Sequence, residues 1–144
     1  VALPFYVADG FVDLSGHRGL HLLIAADPEL AKHVGADGVH WPEARLPQSW
    51  KWRDQFELQT ASAHSRRAIW AAQRAQMDAV LVSSVFPSMS PSARRPMGVA
   101  RLRHLTQQTP LPLYSLGGVS LKNAPRIASV TGLASVSALS GTSD

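Results

Sequence analysis

A chain of 144 residues, 45% hydrophobic and 17% charged, has room for one core, so a single domain over residues 1–144 is expected. With no cysteine it can form neither a disulfide framework nor a zinc–thiolate site. The net charge of +4 is spread over pairs such as Arg66–Arg67 and Arg94–Arg95, not gathered in an aromatic-interleaved basic block. No nucleic-acid partner is therefore expected. No apolar run approaches the roughly 18 residues that span a membrane, and the first ten residues lack the basic flank and long apolar stretch of a signal peptide. The expectation is a cytoplasmic protein with no membrane partner.

Residues 3–8 (LPFYVA) read as a first strand, punctuated by Asp9-Gly10. Gly16 and Gly19 limit any helix before residue 20, since each costs about 1 kcal/mol in a helix interior. Residues 21–26 (HLLIAA) form a second strand. Asp27 is then a helix N-cap, Pro28 the first helical residue, Glu29 a match to the helix dipole and Gly35 the stop. Ala36-Asp37-Gly38 turns the chain into a third strand over 38–41. Residues 42–56 are irregular or contain a short helix, and Trp50 and Trp52 are expected to cover a core edge, with a stacking surface as the alternative.

A fourth strand covers 58–63, with Ser62, His64 and Ser65 at its end. A helix follows over 65–76, with Ala68, Ile69, Ala72 and Ala75 on one face. The apolar run 79–82 is a fifth strand buried on both faces. It opens into a polar, basic loop that holds Ser84, Ser88, Ser90, Ser92, Arg94 and Arg95. A helix over 98–108 turns Leu102 and Leu105 inward. Residues 111–116 are a sixth strand ending in Gly117-Gly118. Ser120 or Asn123 caps another helix that ends at Thr131-Gly132; Pro125 is tolerable only in its first turn, which favours Asn123. Residues 133–139 form the last strand.

Strand and helix alternate throughout. That order predicts a parallel α/β sheet with helices outside it: a β/α barrel of TIM type, short or incomplete at about seven strands. Ligand sites in such folds lie at the C-terminal ends of the strands. His40 and His64 both fall at strand ends, whereas His17, His33 and His104 read as surface residues.

Five segments occur in order at familiar spacing: GADGVHW (35–41), SAHS (62–65), DAVLVSSVFPSMSPSARRPMG (78–98), PLYSLGGVS (112–120) and GLASVSAL (132–139). Together they resemble the thiamine phosphate synthase and TenI family of TIM barrels, which handle phosphorylated thiazoles in thiamine biosynthesis. The likeness covers roughly residues 20–140. The N-terminal unit looks trimmed, as if a helix and a strand were lost.

The resemblance implies a phosphate held by backbone N–H groups of Gly117 and Gly118, where a Cβ would block the approach. Val136 and Ser137 would add donors. His40, Ser62 and Ser88 would line the substrate pocket, and His64 and Ser84 would be the catalytic candidates. Ser84 stands where the tautomerase branch keeps a histidine, and Pro91 where the synthase branch keeps a lysine. Family synthases use Mg²⁺. Their two carboxylate positions are Ala26 and Arg45 here, so no cofactor is expected and Glu43 is the first substitute to consider. The implied partner is a small phosphorylated thiazole, with a homo-oligomer as a possible assembly. The implied function is synthase or thiazole tautomerase chemistry. The alternative is a non-catalytic protein that binds a phosphorylated ligand or partners a thiamine enzyme.

Overall fold

The computed structural model describes residues 5–8, 20–89 and 95–134. Seven strands form one sheet in sequence order. They are β1 (Phe5–Ala8), β2 (His21–Ala25), β3 (Gly38–Trp41), β4 (Leu58–Ala63), β5 (Ala79–Val82), β6 (Leu113–Ser115) and β7 (Gly132–Leu133). Every neighbouring pair is parallel. Among the described residues β1 and β7 do not pair, so the sheet is an incomplete β/α barrel, as the alternation of elements predicts.

Among the described residues three α-helices connect the strands: α1 (Pro28–Val34), α2 (Arg66–Arg74) and α3 (Gly98–Thr106). Asp27 caps α1 by accepting the Leu30 N–H at 2.9 Å, and Gly35 ends it in the left-handed conformation at φ 65°. Ser65 caps α2 through the Ala68 N–H at 3.1 Å. A 3₁₀ segment, Glu43–Trp52, joins β3 to β4.

Side chains alternate across the strands. Val39, Trp41, Ala61, Ala63, Val80 and Val82 face the helices and pack with Ala31, Ile69, Ala72, Leu102 and Leu105 in the main core. Ala79, Leu81 and Tyr114 form a smaller cluster on the opposite face. Two aspartates repeat one device at the N-terminal edge of the sheet. Asp37 accepts the Leu22 N–H at 2.7 Å while its own N–H donates to the Leu22 carbonyl at 3.0 Å. Asp78 does the same with Gln59, at 2.7 and 2.8 Å. Each pair satisfies backbone groups at a strand start and pins the register of two parallel strands.

Several expectations need correction. Ala26 does not extend β2; it turns at φ 58°. The segment after Asn123 is a 3₁₀ turn, Ala124–Arg126, not a helix running to 131. Asn123 makes no side-chain cap there, because its amide is engaged elsewhere, and Pro125 offers no N–H to carry the ladder on. Of the two tryptophans, Trp52 packs against the core, but Trp50 is 68% exposed. Their alternation, read as covering the core, puts them on different sides of a three-fold turn. The last strand is described as Gly132–Leu133, with Ala134 beyond its end; residues 135–139 of the expected run lie outside the described residues, as do Ser90, Ser92, Arg94 and His17.

Candidate functional site at the C-terminal mouth

Because the strands are all parallel, the segments after β2, β3, β4, β5 and β6 gather on one rim. Each predicted site residue that is described lies on this rim or just beneath it.

His40 lies beneath the rim on β3 and is 7% exposed. Its Nδ1 meets the Thr60 hydroxyl at 2.8 Å and its Nε2 meets the Ser62 hydroxyl at 2.8 Å. Register explains the first contact, since His40 and Thr60 are direct partners across β3 and β4. Burial strips solvent from the imidazolium and pushes the His40 pKa down from 6.5 to about 4. The ring is neutral near pH 7, and both its nitrogens are occupied.

His64 sits one residue beyond β4. Glu43 Oε2 accepts its ring Nδ1 at 2.8 Å and its backbone N–H at 3.0 Å. The side chains are 25% and 41% exposed, so the pair stands at the rim and not under it.

The turn after β6 is packed tightly on the turn after β5. Val85 N–H donates to the Leu116 carbonyl and Phe86 N–H to the Gly117 carbonyl, both at 3.1 Å. Gly117 and Gly118 adopt φ 88° and 66°. A Cβ on Gly117 would fall 3.0 Å from Ser84 Cα, and one on Gly118 would fall 2.2 Å from the Pro87 carbonyl oxygen. Both positions therefore require glycine. Asn123 closes the turn by donating from Nδ2 to the Gly118 carbonyl at 2.7 Å and accepting the Ser120 N–H at 2.9 Å. Among the described residues, the N–H groups of Gly117, Gly118 and Val119 meet no acceptor. Successive N–H groups in such a turn form an anion-binding concavity.

Ser84 is buried beside Gly117 and its main-chain carbonyl accepts the Met97 N–H at 3.0 Å. Ser88 is half-buried at the end of the described loop. Val136 and Ser137 lie outside the described residues. His33 and His104 are exposed, as expected.

On the other side of the rim, a cleft of about 670 Å³ is lined by Ala26, Asp27, Glu29, Arg45, Lys51 and Trp52, among others. This is where the resemblance puts the metal carboxylates. A methyl group and a guanidinium stand in their places, and Arg45 donates to Gln48 Oε1 at 3.3 and 3.2 Å. Glu43, the substitute considered from sequence, is engaged with His64. Mg²⁺ takes oxygen ligands in near-octahedral geometry, and positions 26 and 45 do not supply them.

Thr60 and Asn123 are not singled out as site residues from sequence, and Glu43 is considered there only as a substitute metal ligand, not as a partner of His64. Glu43 and His64 follow adjacent parallel strands, so their proximity follows from strand order. The double use of one carboxylate oxygen has no sequence signal.

A parallel β/α barrel with a glycine turn open at its C-terminal mouth defines a class of small-molecule binding and catalytic proteins. Within that class, the chain matches the model of the thiamine monophosphate synthase family over residues 6–141 and belongs to that family. It is 34% identical over 123 residues to the thiamine-phosphate synthase of Latilactobacillus sakei, covering 77% of this chain and 52% of that protein. It is 30% identical over 136 residues to the thiamine-phosphate synthase of Chloroflexus aurantiacus, covering 92% and 63%. The solved thiamine phosphate pyrophosphorylase of Pyrococcus furiosus shares the fold, with a TM-score of 0.73 at 24% identity over 87% of this chain and 61% of that one. The chain thus spans about half to under two-thirds of the length of these relatives. No described helix is long and apolar enough to cross a membrane.

Proposed function

We propose that the mouth binds a phosphorylated thiazole or thiamine phosphate, with the phosphate on the N–H groups of Gly117, Gly118 and Val119. The observation that carries this reading is the glycine turn itself. It is held at positive φ against Ser84 and Pro87, with three consecutive donors uncommitted among the described residues. Arg126 adds a positive charge nearby, its guanidinium 5.5 Å from the centre of the Phe86 ring on which the turn packs. Val136 and Ser137 complete the cradle in this reading, and Ser62, His64, Ser84 and Ser88 line the remainder. His40 acts from beneath, through Ser62. In this reading these residues act in the cytoplasm as one folded unit with no nucleic-acid or membrane partner, and light scattering decides whether it forms a homo-oligomer. Calorimetry with a phosphorylated thiazole tests the binding. Heat saturating at micromolar to millimolar ligand is expected, and none at millimolar ligand with the fold intact overturns it.

A second reading, a non-catalytic ligand-binding member of the family, is favoured by the alanine and arginine at positions 26 and 45. A coupled assay with thiazole phosphate, pyrimidine pyrophosphate and Mg²⁺ separates the two. Turnover rules out the non-catalytic reading.

A further inference from the structure

Two histidines reach the mouth, and they are wired differently. His40 has a hydroxyl on each ring nitrogen. His64 is held at one nitrogen only. A carboxylate oxygen accepts and cannot donate, so the 2.8 Å contact to Glu43 Oε2 places the proton on Nδ1. In the neutral ring the lone pair is then on Nε2, at the far end of the imidazole. Among the described residues Nε2 meets no partner.

An exposed histidine–carboxylate pair is often a surface contact of little consequence. Two features set this one apart. The same Glu43 oxygen also accepts the His64 backbone N–H at 3.0 Å, which ties ring and main chain to a single point and restricts both side-chain torsions. The main chain is fixed on either side as well. Ser62 bonds to His40 before it, and Ser65 caps α2 after it.

We propose that Glu43 is a positioning residue that sets the His64 tautomer, so that Nε2 is a hydrogen-bond acceptor for an N–H or O–H group of the ligand. The ligand class is a small phosphorylated heterocycle bearing an exocyclic amine or a hydroxyl. This rests on the reading of the mouth as a phosphate-ligand site. It adds a requirement that phosphate alone does not satisfy. Inorganic phosphate engages the glycine turn, while a donor-bearing ligand engages both the turn and His64.

The test is long-range ¹H–¹⁵N NMR of the histidine rings at pH 8, with His64 assigned from His64→Gln. The wild-type chain shows His64 protonated on Nδ1. Glu43→Gln, whose amide oxygen still accepts, keeps that form; Glu43→Ala loses it. A ring protonated on Nε2 in the wild type, or an unchanged tautomer in Glu43→Ala, overturns the positioning role. Thiamine phosphate, which carries an exocyclic amine, shifts the His64 Nε2 resonance and binds Glu43→Ala about tenfold more weakly, the scale of one lost hydrogen bond. Inorganic phosphate binds both forms equally. Equal weakening of both ligands, or no Nε2 shift with thiamine phosphate, overturns the acceptor role. If neither ligand binds, the reading of the mouth fails, and the tautomer of the free protein alone decides the role of Glu43.

Discussion

His40 makes the stability of the fold depend on pH in a way that can be worked out beforehand. Its pKa is about 4 in the folded chain and 6.5 in the ordinary state, because burial disfavours the charged ring. Below 6.5 the unfolded chain takes up a proton that the folded chain still refuses. The stabilisation from a neutral buried ring is therefore complete above pH 6.5, falls as pH drops through the window to 4, and is gone below it. A shift of that size at about 1.4 kcal/mol per pH unit corresponds to a loss of about 3 kcal/mol. With a urea slope of about 2 kcal/mol per molar, the midpoint moves by roughly 1.5 M. The comparison is His40→Gln, which keeps polar atoms near Thr60 and Ser62 but does not titrate. Urea unfolding followed by the fluorescence of buried Trp41, at pH 7 and pH 4, gives the difference directly. The carboxylates titrate in both chains and cancel. The wild-type chain should lose about 3 kcal/mol more than the variant over this window. Parallel losses would refute the assignment of His40 as a buried neutral ring.

Further outcomes follow from single contacts. Gly118→Ala puts a Cβ 2.2 Å from the Pro87 oxygen at φ 66°, whereas Gly35→Ala, at φ 65°, meets nothing within 4 Å. Urea titration should show a loss of about 1 kcal/mol for Gly35→Ala and at least 2 kcal/mol more for Gly118→Ala; equal losses would contradict the close packing of the turn. Gln59→Leu removes the acceptor for the fully buried Trp41 Nε1, now at 2.8 Å, and the donor to the Trp52 and Arg53 carbonyls. Thermal unfolding should report a cost of about 2 kcal/mol, and a neutral result would mean that these groups find other partners. Ser65→Ala removes the cap of α2 and should cost about 1 kcal/mol, with Ser65→Asp restoring most of it.

The strand order was legible because the physics that sets it is local. A parallel sheet covered by helices buries its strands on both faces, so β5 appears in the sequence as a short apolar run, while β3 and β4 appear as short runs with a few buried polar residues, bounded by Gly, Asp and Ser signals. The caps of α1 were equally plain, since Asp27, Pro28 and Gly35 each do one thing at one place. The segment after Asn123 was not legible. The residue that reads as a helix cap spends its amide on the Gly118 carbonyl and the Ser120 N–H, and the turn at Gly118 is closed instead of a helix being opened. The glycine pair itself was visible as a phosphate candidate, but its clash with Ser84 and Pro87 depends on packing between two loops. The roles of the two mouth histidines were not separable from sequence. Both end strands, and only the identities of the facing atoms distinguish a ring held by two hydroxyls from one held by a carboxylate. Thr60 is found by register and Glu43 by strand adjacency, and neither is within hydrogen-bonding range in sequence.

In the proposed reading, the open N–H groups of the Gly117–Gly118 turn hold the phosphate of a thiazole ligand. Amide NMR during titration with a phosphorylated thiazole reads those groups one by one. Saturable downfield shifts of the Gly117, Gly118 and Val119 amide protons are expected, reproduced in part by inorganic phosphate. Saturable binding that leaves these three amides unmoved would contradict that reading.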